Sequence, residues 1–327
     1  MSTILVTGAS GFIGSHLCAR LLSDGHQVHG VSRVHRTGQQ DGVQWWRADL
    51  CEAETVRSLL RKIRPHIVFH LASRVTGSRE LSEVAPVFQA NLASTVHVLV
   101  GAVDTGCERI VLAGSSEEPE QMDRTIPCSP YAAAKWSSTS YARMFQALFH
   151  APVVVPRIFM AYGPGQQDVN KVIPCTILSL LHGDRPKLSS GRRLVDWVYI
   201  DDVVEGLRQA ALAPAIPGST FDLGSGSRVS IRRVVEQIAE LIGNGVEPDF
   251  GALPDRPFEQ ERVADTTFME RAFCWRPGKS LRDGLDETVK WYKDMRNLAL
   301  YVVSALWAFG SLSPDILEYQ SAIWLQA

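Results

Sequence analysis

The chain has 327 residues, 45% of them hydrophobic and 21% charged, and a formal net charge of -2. This fits one large or two smaller globular domains and excludes a global electrostatic case for nucleic acid or an acidic membrane surface. Six scattered cysteines without any CxxC spacing point to neither a zinc site nor a disulfide framework, so no metal is expected. The same usage fits a reducing, cytoplasmic compartment, and the start of the chain lacks the basic region and cleavage site of a signal peptide.

"TILVTGASGFIGSHLCARLLSDG" predicts a strand, a glycine turn and a helix. "HQVHGVSR" and "VQWWRADL" are the second and third strands, followed by the helical "AETVRSLLRKIRP". "HIVFHLAS" is a fourth strand, "APVFQANLASTVHVLVGAVDTG" a long helix and "RIVLAGSS" a fifth strand. "SPYAAAKWSSTSYARMFQALF" is another long helix and "APVVVPRIFMAYGPG" a sixth strand. Continuous apolar strands alternating with helices predict an α/β fold, a doubly wound parallel sheet covered on both faces. Beyond about residue 160 the rhythm loosens. "DWVYIDDVVEGLRQAAL" is a strand entering a helix with Asp201 or Asp202 near its N-cap, and Ser230 caps the helix "SIRRVVEQIAELIG". The division expected is 1–160 for the sheet domain and 161–327 mainly for a smaller substrate-binding part, with segments near 196–225 returning to the first. The apolar "NLALYVVSALWAFG", 297–310, is too short at 14 residues to span a bilayer and is expected to pack on the body or at a subunit contact, a membrane-surface anchor being the minor alternative.

Three motifs carry chemistry. "TGASGFIG" places Gly8, Gly11 and Gly14 between a strand and a helix. One glycine makes the tight turn, one lets backbone approach a pyrophosphate, and one lets helix meet strand, while the helix N-terminus offers free N–H groups to phosphates. Ser10, Phe12 and Ile13 complete this cofactor loop. The second strand ends in Ser32 and Arg33 where an NAD site wants an acid for the ribose hydroxyls. An arginine fork attracts a 2′-phosphate, so Arg33, with Arg36 nearby, favours NADP(H) over NAD(H). Asp49 and Leu50 end the third strand near the adenine, and Leu71, Ala72 and Ser73 end the fourth against the phosphates and the nicotinamide ribose. "SPYAAAK" sets Tyr131 and Lys135 four apart at a helix start, on one face. A nearby ammonium favours a phenolate and lowers the tyrosine pKa. Ser116, ending the preceding strand, is placed to hydrogen-bond the same substrate oxygen.

From "TGASGFIG", "HLAS", "QANLAST", "GSSEE", "SPYAAAK", "RIFMAYGPGQ", "DWVYIDDVVEG" and "FDLGSG", the chain resembles the extended short-chain dehydrogenase/reductase family over residues 3 to 295. This family comprises nucleotide-sugar epimerases, dehydratases and ketoreductases. The resemblance implies a Rossmann-type fold, a homodimer and a nucleotide-diphosphate sugar as substrate. It also implies catalytic roles for Ser116, Tyr131 and Lys135, the tyrosine exchanging a proton as a hydride moves to or from the nicotinamide. Sugar 4,6-dehydratases of the family end the strand in Thr-Asp-Glu or similar, and Glu117 and Glu118 sit at those offsets from Ser116. "GSSEE", the short stretch to Tyr131 and the presence of Pro119 and Glu120 in place of Tyr-Gly look instead like 4-keto-6-deoxy-sugar reductases.

The resemblance also implies that Arg256 and Glu259, in "PDRPFEQERVADTT", bind diphosphate and ribose, bidentate bonding being the reason an arginine is wanted. Two departures stand out. Val195 precedes Asp196 where relatives carry Arg, leaving Arg192 or Arg193 to replace it, and Met160 stands where many carry a substrate-contacting Asn. Lys171 is a further candidate phosphate contact. "GSSEE", the short stretch to Tyr131, Pro119 with Glu120, and Arg33 together point to an NADPH-dependent 4-ketoreductase of a nucleotide-activated deoxysugar. A nucleotide-sugar 4-epimerase or 4,6-dehydratase is the alternative, and a non-catalytic dinucleotide-binding protein the remote third.

Overall fold

A computed structural model describes residues 1–34, 36, 41–119, 126–214, 216–257 and 261–308, with side chains as far as 296. The chain divides into two compact units. The first joins Met1–Ala161 to Asp196–Arg228 and Arg256–Gly278; the second holds Tyr162–Val195, Val229–Asp255 and Lys279–Ala327.

The first unit begins with β1 (Thr3–Thr7), α1 (Phe12–Ser23), β2 (Gln27–Ser32), β3 (Gln44–Arg47), α2 (Ala53–Ile63) and β4 (Ile67–His70). It continues with α3 (Leu81–Val87), α4 (Ser94–Asp104), β5 (Arg109–Leu112), β6 (Gly114–Ser115), α5 (Pro130–Phe149) and β7 (Val153–Ile158). After the short β8 (Met160–Tyr162) the chain forms α6 (Val172–His182), β9 (Lys187–Leu188), β10 (Leu194–Tyr199), α7 (Ile200–Leu212) and β11 (Thr220–Leu223). Then follow β12 (Arg228–Ser230), α8 (Ile231–Ile242), β13 (Asp249–Phe250), α9 (Thr267–Phe273) and α10 (Leu281–Ala308).

The main sheet has the order β11-β7-β5-β4-β1-β2-β3 with every pair parallel, and β6 lies alongside β7. Ile4, Leu5, Val68, Phe69, Ile110 and Val111 are buried because helices cover both faces, which is why these strands lack alternation. Strand order reverses at β1, flanked by β2 and β4. The crevice at the carboxyl ends of β1 and β4 is therefore the topological switch point, where ligands of such sheets bind.

Two local expectations are corrected. The long helix before β5 is broken: after Pro86, which has no N–H to donate, Phe88–Ala93 widens into a π turn between α3 and α4. The sixth strand divides at Phe159 into β7 and β8. Asp201 and Asp202 do lie near the N-cap of α7, which is Tyr199, in the first turn where carboxylates complement the helix dipole. Ser230 does cap α8, accepting the Arg233 N–H. The run Leu81–Asp104 is long and apolar enough to cross a bilayer, yet it buries Val87, Val98 and Leu99 in the fold.

In the second unit α6, α8 and α10 pack together, and Tyr292 donates to the Gln166 carbonyl. α10 carries a helical backbone through the apolar stretch as far as Ala308; how that stretch packs lies outside the described side chains.

Candidate active site in the sheet domain

The loop after β1 is shaped by its glycines. Gly8 adopts φ +69°, and a Cβ there would stand 2.7 Å from the Ala72 nitrogen. A Cβ on Gly14 would overlap the Gly8 carbonyl oxygen, so α1 can approach the turn this closely only with glycine there. The Gly11 N–H donates to Gly8 O at 3.0 Å and closes the turn. Gly11 is the N-cap of α1, with no side-chain cap and no acid in the first turn. The first N–H groups of α1, around Phe12 and Ile13, therefore face the switch point with positive helix-end character. Ala72 N–H donates to Thr7 Oγ1 and Leu71 N–H to Thr7 O, pinning the end of β4 beside the loop. Ser10 lies half-buried within the turn. This cradle fits the diphosphate of a dinucleotide.

At the outer edge, β2 ends with Ser32 buried and Arg33 exposed. Asp49 spends one carboxylate oxygen on the Cys51 N–H at 2.9 Å, and His97 bonds the Leu50 carbonyl. Arg33 and Asp49 both lie close enough to Cys51 to act on its thiol, in opposite senses, so the two charges share one corner.

The chemistry-bearing groups meet at the start of α5. Ser129 caps this helix by accepting the Ala132 N–H at 3.1 Å, and Pro130 supplies the preset φ of its first position. About one turn apart, Tyr131 and Lys135 are both buried. Lys135 donates to the Ala113 carbonyl at 2.8 Å and stands 5.9 Å from the Tyr131 ring centroid. Burial lowers the Lys135 pKa to about 8, against an opposing pull from Glu118. Burial raises the Tyr131 pKa, helped by the Glu117 charge and opposed by hydrogen bonds to Ser115 and Ser73. The expected lowering of the phenol is thus corrected: desolvation outweighs what its neighbours contribute.

Those hydrogen bonds shift the register of the preceding turn. Ser115, not Ser116, is the serine whose hydroxyl acts on the Tyr131 phenol, favouring its ionised form. Adjacent residues at a strand end face opposite ways, and Ser115 belongs to β6, paired with Ile158. Ser116 is engaged through its backbone, its N–H donating to Ile158 O. The two acids separate as well. Glu117 stays half-buried near Tyr131, its N–H on Ser115 Oγ and its carboxylate accepting from Ser129 Oγ at 3.3 Å. Glu118 is 2% exposed and is spent on structure, accepting from the Ser115 N–H and from Thr139 Oγ1, each at 2.7 Å.

Asn91, from the π turn, is a further residue of the site that sequence reading missed. Its side-chain oxygen accepts from Ser73 Oγ and from the Arg74 N–H, and its amide donates to Arg74 O. It thereby orients Ser73 toward Tyr131. The sequence hints were Pro86 inside an otherwise helical pattern and the motif "QANLAST", which contains Asn91.

The substrate candidates divide between the units. Met160 and Arg256 lie in the first, and Lys171 and Arg193 in the second. The Arg256 guanidinium lies directly over Gly77, in the loop after β4, so that a side chain on Gly77 would collide with it. Lys171 is the N-cap residue of α6, and the Arg193 carbonyl accepts the Ile231 N–H. Glu259 lies outside the described residues. Among the described residues, no group of three or more His, Cys, Asp or Glu could hold a metal ion.

Comparison with known proteins agrees with this fold. A UDP-glucose 4-epimerase from Mycolicibacterium smegmatis is 30% identical over 312 residues, covering 89% of this chain and 98% of that protein. dTDP-glucose 4,6-dehydratase 1 of Escherichia coli is 25% identical, covering 88% of this chain and 92% of its own. Among solved structures, the UDP-glucose 4-epimerase of Thermus thermophilus in complex with NAD superposes with a TM-score of 0.78 at 26% identity, covering 89% and 98% of the two chains. Residues 4–224 match the NAD dependent epimerase/dehydratase family, and with that match over more than half its length the chain belongs to this family of nucleotide-sugar enzymes.

Proposed function

We propose that the protein is a nucleotide-sugar 4-epimerase that returns its hydride to the substrate within one catalytic cycle. The observation that carries this reading is the register of the 115–118 turn. Dehydration needs two acids directly after the hydroxyl residue; with Ser115 on Tyr131, those positions are Ser116 and Glu117, and Glu118 is turned into the fold. Both charges reach the phenol, but the Glu118 carboxylate is committed to Ser115 N–H and Thr139, which leaves Glu117 as the acid open to a substrate, so the site favours oxidation and reduction at a single carbon over elimination of water.

A bound nicotinamide would accept and return the hydride. The chain's own residues do the rest. Tyr131 takes the proton of the sugar 4-hydroxyl and later gives it back. Ser115 holds the same oxygen, and the Lys135 ammonium supports negative charge on the phenol. Gly8, Gly11 and the start of α1 hold the diphosphate of the dinucleotide, and Arg256 is the chain's candidate for the diphosphate of the sugar nucleotide. The M. smegmatis relative makes UDP-glucose the first substrate to try. The test is incubation of the protein with UDP-glucose, UDP-galactose and dTDP-glucose. The expected result is a C4 epimer without net oxidation or reduction of cofactor; a 4-keto-6-deoxy product would overturn the reading in favour of a dehydratase.

Arg33 favours a second reading, the NADPH-dependent 4-ketoreductase, since it supplies a cation where an NAD site wants an acid. Net consumption of NADPH with a 4-keto sugar nucleotide is its signature. The two readings share a prediction about the cofactor. Arg33→Asp should weaken NADP binding about tenfold or more, one charge-assisted bond being worth about 1.5 kcal/mol or more, and should spare NAD; titration of both dinucleotides checks this. Exposed Tyr141, Leu148 and Phe149 on α5 support a homodimer in solution.

A further inference from the structure

Arg262 comes from the irregular segment before α9, which the sequence assigned to substrate binding, yet it is a core residue of the sheet domain. Its side chain is 6% exposed. Nη1 donates to the carbonyls of Ser116 and Glu118, both at 2.9 Å. These are the carbonyls on either side of Glu117. Nη2 stands 3.6 Å from Asp222, which also pairs with Arg157 at 2.6 Å, and the guanidinium carbon lies 5.5 Å from the Phe159 ring centroid. One planar fork therefore ties the turn after β6 to β11 and the end of β7.

The consequence lies in what that turn carries. Ser115 and Glu117 both act on Tyr131, and the Glu117 N–H is bonded to Ser115 Oγ. Glu118 fixes the turn from inside through the Ser115 N–H and Thr139. Arg262 fixes it from the other side through two backbone acceptors that no side-chain change within the turn can remove. Burying a guanidinium is costly, and a packed apolar side chain would serve stability as well. What an apolar side chain does not supply is two directed bonds to the carbonyls that flank Glu117.

We propose that Arg262 is a positioning residue, holding the Ser115–Glu118 turn in the geometry at which Ser115 and Glu117 serve Tyr131. The proposal rests on the reading of Tyr131 as the proton-transfer group and adds a residue that touches neither substrate nor dinucleotide.

The test compares Arg262→Met and Arg262→Lys with the wild type, by steady-state kinetics on UDP-glucose and by hydrogen exchange of the peptide covering 113–118. Arg262→Met is expected to lower kcat on the order of a hundredfold, the scale of a small misplacement, with KM within about threefold. The 113–118 amides should exchange faster, with β1 and β4 unchanged. Arg262→Lys, with its charge kept and its fork lost, should recover roughly a tenth of the wild-type rate. Wild-type kcat in either variant overturns the proposal, as does a raised KM at unchanged kcat, which would make Arg262 a substrate ligand. If the wild type turns over none of the nucleotide sugars, the proposed activity fails and exchange decides the proposal: unchanged exchange at 113–118 overturns it. If Arg262→Met does not fold, Arg262→Lys carries both measurements.

Discussion

Replacing Tyr131 by Phe should cut turnover by about a hundredfold or more while leaving dinucleotide binding near its wild-type level. The phenol is buried and is the proton carrier of the proposed reaction, and its hydroxyl is the only group the substitution removes. The variant should still fold. Ser115 and Ser73 lose a partner, but Ser115 keeps the Glu117 N–H and Ser73 keeps Asn91, so the loss is about one hydrogen bond, ~1 kcal/mol. Turnover and dinucleotide titration separate the two effects. Wild-type turnover in this variant would remove Tyr131 from the reaction altogether.

The pH dependence adds a sign to the same prediction. Lys135, lowered by burial to about 8, is charged below that pH and loses its proton above it. Support for negative charge on the phenol therefore fades as pH rises through 8, giving kcat an alkaline limb there. Lys135→Arg, whose guanidinium does not titrate in this range, should abolish that limb. The effect on stability has the opposite sense. The folded value lies below the reference 10.5, so the unfolded chain holds more protons between pH 8 and 10.5. The cost of burying the ammonium is full below pH 8 and is relieved as pH climbs through that window.

What the sequence disclosed, and what it hid, follows from the range of the interactions involved. Gly8, Gly11 and Gly14 were legible because a tight turn and a close helix approach allow no other residue. Tyr131 and Lys135 were legible because a spacing of four on a helix fixes a shared face. The parallel sheet followed from apolar runs alternating with helices. Ser115 was hidden because two adjacent serines differ only by strand parity, and parity there is set by pairing with β7, 43 positions further along at Ile158. Glu118 was hidden because a buried carboxylate looks like a solvated one in sequence; its partners Ser115 N–H and Thr139 are supplied by the fold. Asn91 and Arg262 were hidden for the same reason: each acts on a backbone segment distant in the chain. Arg256 was read from resemblance alone, and its lie over Gly77 depends on a return of the chain that no local pattern announces.

The register of the 115–118 turn yields the second large effect, and it is a contrast between neighbours. Ser115→Ala should lower kcat on the order of a hundredfold, the cost of losing one donor to a reacting oxygen, whereas Ser116→Ala should stay within about threefold of wild type. The difference follows from which hydroxyl meets Tyr131, since both serines are small and both backbones are held alike: Ser115 N–H by Glu118, Ser116 N–H by Ile158 O. Ser115→Ala also frees the Glu117 N–H, so Ser115→Thr is the companion variant; it keeps an oxygen at the same position and should recover most of the rate. Steady-state kinetics on the three variants decides the matter. A crippled Ser116→Ala beside an active Ser115→Ala would return the pair Glu117 and Glu118 to the offsets of a dehydratase, and the epimerase reading would lose the geometry on which it stands.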